Sequence, residues 1–418
     1  MVLKRVKAGK SGLILVIGGG AAGMMAAIQA KKQGAAVTVL ERGERVGRKL
    51  SQTGNGRCNL TNTGAAPCHY HGDGAEVFCR DALTTFSPAC VMEEFSSLGL
   101  LMHEEYGGRV YPYCNRADSV VDILRFTLDA LDIPVKIQCT VTGIRRGKGD
   151  FSVLYTQGEH HGILHADRVI LACGGHAAPK LGGTDLGLKL AAGLGHTVRP
   201  CHAALVQLVT ADRDAKALKG VRADGVVQLK AGGTLRQASG EIQFTEYGLS
   251  GPAVFDIARA ASAMAPVEIG IDLLPQVDED ALAGMLGRRC KALGNLTVND
   301  LFTGILQNRL GRVCAQRAGL NLTMPLTKVT DAMLKACAHT AKDMKFTVTG
   351  DMGLEHAQVT AGGLCLHEFN PVTMESLRMP GLYACGELLD IDGDCGGYNL
   401  QWAWASGMAA GMAAGGKA

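Results

Sequence analysis

Three glycines and one glutamate near the start of the chain have the types and spacing that bind a dinucleotide. Gly18, Gly20 and Gly23 form a G-x-G-x-x-G pattern directly after the apolar run Leu13–Ile17, and Glu41 follows 18 residues after Gly23. The first glycine of such a pattern allows a tight turn, the second lets a pyrophosphate approach, and the third lets the helix pack on the strand. The glutamate can accept hydrogen bonds from ribose hydroxyls, which favours FAD or NAD over NADP.

A polar stretch punctuated by glycines, from 43 to 62, is too long for an ordinary connection. Arg48 and Lys49 carry the charge to meet a pyrophosphate, and the Gly-Asn-Gly run at 54–56 offers backbone amides to a flat ring. The same stretch also fits a surface loop with a solvated charge pair. On spacing alone, both interpretations stay open.

The carboxyl-terminal segment has a second strand–turn–helix signature. A short apolar run from 381 to 385 ends in Gly386 and Glu387, and the run Gly-Gly-Tyr-Asn at 396–399 opens a helical segment that continues to about Met412. An acid here can hold the ribityl hydroxyls of a flavin, and the helix amino terminus can stabilise negative charge at the N1–C2=O edge of the reduced ring. A terminal βα unit whose acids only face water is the alternative.

Five longer stretches carry a resemblance to a known family. They read VIGGGAAGMMAAIQA, GRKLSQTGNGRCNLTN, FTEYGLSGPAVFDIAR, VTAGGL and GLYACGELLDIDGDCGGYNLQWAWASG. Together they resemble the BaiN-type family of NAD(P)/FAD-dependent oxidoreductases, also labelled aminoacetone-oxidase-like. The resemblance implies bound FAD and a two-dinucleotide-binding-domain fold, interrupted by a β-barrel-like domain with a helical insertion. One member reduces a carbon–carbon double bond conjugated to the 3-oxo group of a bile acid, and we do not carry that substrate over.

Carried over residue by residue, the resemblance predicts an FAD site built from both ends of the chain. The FAD is expected to be non-covalent, because no His or Cys stands in a recognised flavinylation motif. The predicted cofactor-binding residues are Gly18, Gly20, Ala21, Ala22, Gly23, Glu41, Arg42, Arg48, Lys49, Gly54, Asn55, Gly56, Cys58, Asn59, Ala172, Gly174, Gly175, Gly386, Glu387, Gly396, Gly397, Tyr398 and Asn399.

The strands and helices around these residues, read from the sequence pattern, indicate an α/β protein with a Rossmann-like FAD-binding domain. Between 198 and 272, short apolar bursts alternate with glycine-rich turns, which is typical of a small antiparallel domain, and 275–345 has helical spacing. The only low-complexity tract is the Ala/Gly/Met tail from Ser406. With the resemblance, we expect an FAD-binding domain at 1–195 and 361–418, a β-barrel-like domain at 196–273 and 344–360, and a helical insertion at 274–343.

Candidates for catalysis are fewer and less specific. Arg109 and Tyr111 lie in the stretch HEEYGGRVYPYCNR, where a cation can bind a carboxylate or phosphate and a phenol can donate a proton. The alternative is a structural turn with packed aromatics and solvated arginines, which is the reading we favour for Tyr113. Tyr247, in the glycine-rich loop FTEYGLSGP, poses the same question. The 12 histidines are scattered and form no Ser-His-acid or HExxH signature.

Composition excludes several other classes of protein. The 418 residues carry 42 basic and 39 acidic side chains, a balance without the concentrated basic face that nucleic-acid binding needs. No stretch approaches the roughly 20 apolar residues of a membrane span. The 14 cysteines contain no CxxC pair, so neither a metal site nor a dithiol reductase is expected. Without a secretory signal, we expect reduced cysteines and a cytoplasmic location.

Three hypotheses about function follow. The leading one is a reductase, in which NAD(P)H reduces bound FAD and flavin N5 passes a hydride to an activated double bond or carbonyl of a small molecule. Because the chain has no second G-x-G-x-x-G between strand and helix, NAD(P)H would dock transiently and not in a domain of its own. The others are an oxidase that passes electrons from a substrate such as an amine to oxygen, and a redox sensor or scaffold without turnover. The substrate and the oligomeric state stay open.

Overall fold

The computed structural model describes residues 12–231 and 234–416 and divides the chain into two compact units. Unit 1 is the described part of Met1–Ala203 together with Gln358–Ala418, and unit 2 is Ala204–Ala357. Within the described residues, no helix is both long enough and apolar enough to cross a membrane.

The amino-terminal part of unit 1 holds most of its strands and helices. Its strands are β1 (Leu13–Ile17), β2 (Ala36–Leu40), β3 (Thr61–Asn62), β4 (Tyr70–His71), β5 (Met102–Glu105), β6 (Arg109–Pro112), β7 (Val135–Lys136), β8 (Thr140–Arg146), β9 (Phe151–Gln157), β10 (His160–Ala166), β11 (Arg168–Leu171) and β12 (His202–Ala204). Its helices are α1 (Ala21–Lys32), α2 (Thr53–Gly56), α3 (Ala75–Thr85), α4 (Pro88–Ser97), α5 (Ala117–Ala130) and α6 (Leu186–Gly193).

Unit 2 and the carboxyl-terminal part of unit 1 complete the chain. Unit 2 contains α7 (Arg213–Ala217), α8 (Pro252–Ala263), α9 (Glu279–Ala292), α10 (Asn308–Arg317), α11 (Asp331–Lys342), β13 (Leu208–Thr210), β14 (Arg222–Ala231), β15 (Thr234–Phe244), β16 (Gly248–Ser250), β17 (Val267–Asp272) and β18 (Met344–Asp351). The final part of unit 1 contains β19 (Val359–Ala361), β20 (Leu382–Ala384), β21 (Asp392–Gly393) and α12 (Tyr398–Gly415).

A five-stranded parallel sheet in the order β20-β11-β1-β2-β7 forms the centre of unit 1. β1 is the middle strand, with Ile14 paired to Val37 on β2 and to Arg168 on β11. Its continuous apolar sequence follows from this place, because a central parallel strand is covered on both faces. The carboxyl ends of the parallel strands meet at one edge, which is where ligands bind in open α/β sheets.

Helices α1 and α12 pack against each other through small residues. A Cβ built on Gly407, Gly411 or Gly415 would lie 2.6, 2.3 or 2.6 Å from the carbonyl oxygen of Ala22, Ala26 or Ala30, respectively. The three glycines therefore let the backbones of the two helices approach directly. The Ala/Gly/Met tail is thus the packing face of a buried helix, and its composition follows from that contact.

Unit 2 is a closed six-stranded barrel in the order β13-β16-β15-β14-β17-β18. Three helices, α9, α10 and α11, lie between β17 and β18 along the chain. Apolar side chains such as Phe244, Ile269 and Phe346 are fully buried, and along the first six residues of β18 buried and exposed side chains alternate. The predicted fold class, a Rossmann-like domain interrupted by a β-barrel-like domain with a helical insertion, is confirmed.

Candidate active site

A cleft of about 1070 Å³ lies in unit 1, where the turns that follow β1, β2, β11 and β20 meet. Its volume is at the upper end of the range for ligand sites, as an extended dinucleotide requires. Fourteen of the predicted cofactor-binding residues line it, namely Gly18, Gly20, Ala21, Ala22, Glu41, Arg42, Arg48, Lys49, Ala172, Gly174, Gly175, Gly386, Glu387 and Asn399. The other nine, Gly23, Gly54, Asn55, Gly56, Cys58, Asn59, Gly396, Gly397 and Tyr398, lie outside the lining.

The glycines of the first turn have three different surroundings. Gly18 has φ +109°, and a Cβ on it would lie 2.3 Å from the carbonyl oxygen of Ala172. A Cβ on Gly23 would lie 1.9 Å from the carbonyl oxygen of Gly18, so this residue lets α1 start tightly against β1. A Cβ on Gly20 would meet no protein atom within 4 Å, although Gly20 lines the cleft. The open space at Gly20 is what close approach of a pyrophosphate to the helix amino terminus needs.

The carboxylate of Glu41 ties this turn to the end of β2. The backbone N–H of Gly19 donates to Oε2 at 2.8 Å, and that of Gly43 donates to Oε1 at 2.5 Å. A carboxylate has about four acceptor positions, so the two backbone donors leave room for ribose hydroxyls. Glu41 therefore binds the backbone of Gly19 and Gly43 and also lines the cleft, where a ligand can reach it. We call Gly18–Gly23 with Glu41 the glycine-turn end of the cleft.

A salt bridge between two cleft-lining residues joins the amino-terminal and carboxyl-terminal parts of unit 1. Nζ of Lys49 lies 2.7 Å from Oε2 of Glu387, and the backbone N–H of Thr360 donates to Oε1 of Glu387 at 2.8 Å. The exposed guanidinium groups of Arg42 and Arg48 donate to the carbonyl oxygens of Gly182 and Lys180. Lys49 thus has a protein partner, and a ligand phosphate would compete with Glu387 for it.

Gly174 and Gly175, which follow β11, also differ in the space around them. Gly174 has φ +69° and would meet no protein atom within 4 Å if it carried a Cβ. A Cβ on Gly175 would lie 2.6 Å from Oε1 of Glu387. Gly174 therefore leaves space in the cleft, whereas the missing side chain of Gly175 makes room for the carboxylate of Glu387.

The segment from Gly54 to Cys58 has an unusual backbone. Gly54, Asn55, Gly56 and Cys58 have φ of +57°, +55°, +80° and +61°. Two of these residues are not glycine, and such left-handed conformations cluster at ligand sites. The segment follows Thr53, which lines the cleft, and Oδ1 of the neighbouring buried Asn59 has no hydrogen-bond partner among the described residues.

The turn before α12 meets the same segment. Gly396 and Gly397 have φ of +136° and +100°, and a Cβ on Gly397 would lie 2.5 Å from the carbonyl oxygen of Thr61. The side chain of Asn399 accepts from the backbone N–H of Gly393 at 2.8 Å and donates to its carbonyl oxygen at 2.7 Å. The loops 54–59 and 396–399 adjoin the cleft through Thr53 and Asn399, which line it, and we call them the α12 end of the cleft.

Sequence reasoning missed the polar side chains inside α12. Trp402 Nε1 donates to the carbonyl oxygen of Gly386 at 3.1 Å, and Ser406 Oγ accepts from the N–H of Gly386 at 2.9 Å. Trp404 Nε1 donates to the carbonyl oxygen of Leu60 at 2.9 Å, and Oε1 of Gln401 accepts from the hydroxyl of Thr61 at 2.6 Å. Polar groups in an otherwise small, apolar helix were the available signal, because buried ones need partners.

The catalytic candidates Arg109 and Tyr111 lie on β6, beside the α12 end. A Cβ on Gly54 would be 3.5 Å from Cε1 of Tyr111, and a Cβ on Gly396 would be 3.4 Å from Nε of Arg109. Tyr247 lies in unit 2, between β15 and β16, where its carbonyl oxygen accepts from the N–H of Thr210. The role expected of Tyr247 stays a prediction.

A buried Ser–His–Glu arrangement, not apparent from the sequence, also lies in unit 1. Ser376 Oγ is 3.0 Å from Nε2 of His196, and Nδ1 of His196 is 2.8 Å from Oε2 of Glu368. The hydroxyl also accepts the N–H of Met379 at 2.8 Å. Burial lowers the pKa of His196 against the opposing effect of Glu368. All three residues of the arrangement are at most 7% exposed. The arrangement therefore has a structural role, and the hydroxyl of Ser376 cannot reach a substrate to attack it.

No group of three or more His, Cys, Asp or Glu side chains in 12–231 and 234–416 is arranged to hold a metal ion. Burial raises the pKa of the cleft-lining thiols of Cys173 and Cys385, to about 12 for Cys173. These thiols are therefore protonated at neutral pH and are poor nucleophiles.

Residues 13–413 match the family described as HI0933-like protein Rossmann domain. The chain is 36% identical to the 3-dehydro-bile acid delta(4,6)-reductase of Clostridium scindens over 96% of its own length and 98% of the relative. It is 31% identical to the ribosomal RNA dihydrouridine synthase of Escherichia coli over 94% and 96%. A 3-ketosteroid delta1-dehydrogenase from Sterolibacterium denitrificans has the same fold, with a TM-score of 0.50, 16% identity, and coverage of 96% and 99%.

Proposed function

The chain belongs to the HI0933-like Rossmann-domain family of flavin-dependent oxidoreductases, and from this premise we propose that it is an FAD-dependent reductase. Its substrates would be small molecules with a carbon–carbon double bond conjugated to a carbonyl, and NAD(P)H would be the electron donor. The observation that carries the proposal is the cleft whose lining includes the amino termini of both α1 and α12. We also propose that the protein is located in the cytoplasm.

Bound non-covalently, FAD would lie along the cleft. The pyrophosphate would meet the amino terminus of α1 above Gly20, and the adenosine ribose would meet Glu41. Glu387 would hold ribityl hydroxyls, and the start of α12 would hold the pyrimidine edge of the flavin. Bound FAD would supply hydride transfer, taking a hydride from NAD(P)H and giving it to the substrate.

The substrate class follows from what two relatives act on. The Clostridium relative reduces a 3-dehydro bile acid at its delta(4,6) positions, and the Escherichia relative makes dihydrouridine. In both substrates the reduced double bond is conjugated to a carbonyl, so the carbonyl oxygen can accept the negative charge that develops when hydride adds to the far carbon. A group that stabilises this oxygen, such as the guanidinium of Arg109, is therefore expected close to the flavin.

The test begins with the purified protein and its flavin. Denaturation should release FAD into the supernatant, and release of FMN or no flavin would contradict the cofactor assignment. Anaerobic mixing with NADH or NADPH should then rapidly bleach the visible absorbance band of the flavin. Adding a 3-dehydro bile acid with delta(4,6) unsaturation, or 2-cyclohexenone, should restore the band and yield a ketone with one carbon–carbon double bond fewer.

Other outcomes would favour the remaining hypotheses. Slow bleaching by both nicotinamides, with peroxide formed from an amine and oxygen, would favour an oxidase. A flavin that exchanges electrons with no donor or acceptor would favour a sensor or scaffold.

A second candidate substrate, a uridine in ribosomal RNA, is favoured by the Escherichia relative. The near balance of 42 basic and 39 acidic residues favours small molecules instead. Loss of dihydrouridine from the ribosomal RNA of a deletion strain would decide for the RNA substrate.

A further inference from the structure

A cation lies on the face of the Tyr111 ring. The guanidinium carbon of Arg57 is 4.1 Å from the ring centroid, and Arg57 belongs to the loop 54–59 with left-handed backbone. The same ring packs near Gly54 on its edge. Tyr111 is thus enclosed by the α12 end of the cleft, and only 8% of it is exposed.

Arg57 is held in this position from the opposite side. Its guanidinium forms an ion pair with Glu105 on β5 and donates from Nε to Oδ1 of Asn115 at 2.9 Å. Nε2 of His103 lies 3.2 Å from the same carboxylate. Glu105 and Asn115 therefore fix the plane of the guanidinium, while His103 holds Glu105. A stacked, forked contact of this kind suits arginine better than lysine.

The hydroxyl of Tyr111 has no hydrogen-bond partner among the described residues, and its oxygen is not enclosed. A phenol oxygen that is not enclosed and has no protein partner is available to a ligand, even though the ring itself is buried. The guanidinium of Arg109, on the same strand, also forms no hydrogen bond or ion pair with a described residue. A free phenol and a free cation thus lie side by side at the α12 end.

The charges around Tyr111 fit a group that gives up a proton and takes it back. Burial raises the pKa of Tyr111, while Arg109 and Arg57 lower it and Glu105 and Cys395 raise it. The phenol is therefore protonated at neutral pH, and the two cations stabilise the phenolate left after donation. These four residues, together with His103, are the titratable or charged groups that face Tyr111 from β5, β6, the loop 54–59 and the turn before α12.

We propose that Tyr111 is the proton donor of the reduction and that Arg57 is the positioning residue that stabilises its phenolate. This inference rests on the proposed function. Hydride addition to the far carbon of the double bond forms one C–H bond and moves the π electrons onto the carbonyl oxygen as an enolate. The Tyr111 O–H bond then breaks, its proton forms the second C–H bond at the carbon next to the carbonyl, and solvent returns a proton to the phenolate.

The experiment compares Tyr111→Phe with Tyr113→Phe. Tyr113 lies one residue beyond β6 and is 66% exposed, so it controls for loss of a phenol from the same segment. In Tyr111→Phe, reoxidation of the reduced protein by 2-cyclohexenone should slow by about 100-fold or more, since a general acid contributes at least that much. Flavin reduction by NAD(P)H should stay unchanged, and Tyr113→Phe should match the parent in both steps.

A second readout needs no turnover. Ultraviolet titration of the apoprotein should show one phenolate transition that is absent from Tyr111→Phe. In Arg57→Met this transition should move to higher pH because the stacked cation is lost, and Arg57→Lys should restore part of the shift. The pH profile of enone reduction should move in the same direction.

Two results separate the possible failures. If the parent protein reduces 2-cyclohexenone and Tyr111→Phe is equally fast, the proton-donor role is wrong while the proposed function stands. If the parent protein is reduced by NAD(P)H and no conjugated ketone reoxidises it, the proposed function fails, and the role of Tyr111 fails with it.

Discussion

At the glycine-turn end of the cleft, the contact that shapes the site joins Gly19 to Glu41, 22 residues apart. At the α12 end, the corresponding contacts join Thr61 to Gln401 and Leu60 to Trp404, which are 340 and 344 residues apart. The first end is made by backbone turns and one carboxylate. The second is made by side chains of a distant helix that bind Leu60 and Thr61, the residues directly after the left-handed loop 54–59.

The two ends differ because a short sequence motif determines the geometry of the first, whereas the geometry of the second depends on tertiary contacts. A strand–turn–helix motif carries its own geometry, because the glycines set the turn and the next strand supplies the acid. The α12 end exists only after the last helix has docked beside the first. We therefore expect the two ends to respond differently to substitution, and the following changes test that expectation from the largest effect to the smallest.

Gly411→Val should damage both ends of the cleft alike, because both depend on the contact between α1 and α12. A side chain here would run into the carbonyl oxygen of Ala26, a backbone atom that cannot move aside. We expect a loss of about 3 kcal/mol or more in the free energy of unfolding, measured by urea denaturation, and loss of FAD binding. Gly193→Val in α6 is the control, since a Cβ there meets no atom within 4 Å. Equal stability of the two variants would contradict the backbone contact.

Gly397→Val should damage the α12 end alone. The left-handed φ and the carbonyl oxygen of Thr61 both oppose a β-branched side chain, so we expect a loss of about 2 kcal/mol, seen as a lower Tm. FAD should bind more weakly. If the turn also aims the helix at the flavin, the reduction potential of the FAD-saturated variant should fall as well. An unchanged potential with a lowered Tm would show that Gly397 serves packing only.

Glu41→Ala should damage the glycine-turn end alone. It removes the acceptor for the ribose hydroxyls, and we expect FAD affinity to fall about tenfold or more, by titration of the apoprotein. FMN, which lacks the adenosine, should bind equally well to both proteins. Glu41→Gln keeps an oxygen acceptor and should lose less. Equal losses for FAD and FMN would show that Glu41 acts only by holding Gly19 and Gly43.

The smallest effect concerns the pH dependence of the α12 end. Burial alone would raise the pKa of Asp394, but hydrogen bonds from His71 and His69 hold it below the usual value. A depressed carboxyl pKa stabilises the fold above the pKa of the unfolded chain, and this contribution is lost as pH falls through the folded pKa. Asp394→Asn should therefore cost about 1 kcal/mol at pH 7 and little near pH 3.

The control for Asp394 is Asp185→Asn on the surface. Asp185 also has a lowered pKa, mainly through its hydrogen bond from Lys189, but the pair is exposed. Exposed pairs contribute little, so no more than a few tenths of a kcal/mol is expected at either pH. Equal losses at pH 7 for the two variants would remove any special role for the His–Asp–His cluster.

The sequence predicted the parts of the site that are local in the chain. The G-x-G-x-x-G turn, the acid at the end of β2 and the fold class follow from spacing and periodicity, which need no knowledge of tertiary contacts. Arg57 could not be assigned in this way, because its place over Tyr111 depends on the pairing of β5 with β6. The tethers from Gln401 and Trp404 likewise depend on helix docking, which one sequence does not reveal.

The paired helices also define a length. Because Gly407, Gly411 and Gly415 face Ala22, Ala26 and Ala30 in order, α1 and α12 run parallel, and the first residue of α1 lies level with Ser406. Helix α12 begins at Tyr398, so its amino terminus stands about 12 Å ahead of that of α1 at about 1.5 Å per residue. The pair thus sets the separation between two positive helix ends, and under the proposed function a ligand would need acceptor groups at that separation to meet both. A flavin without a phosphate at the far end of its ribityl chain would meet only one of them.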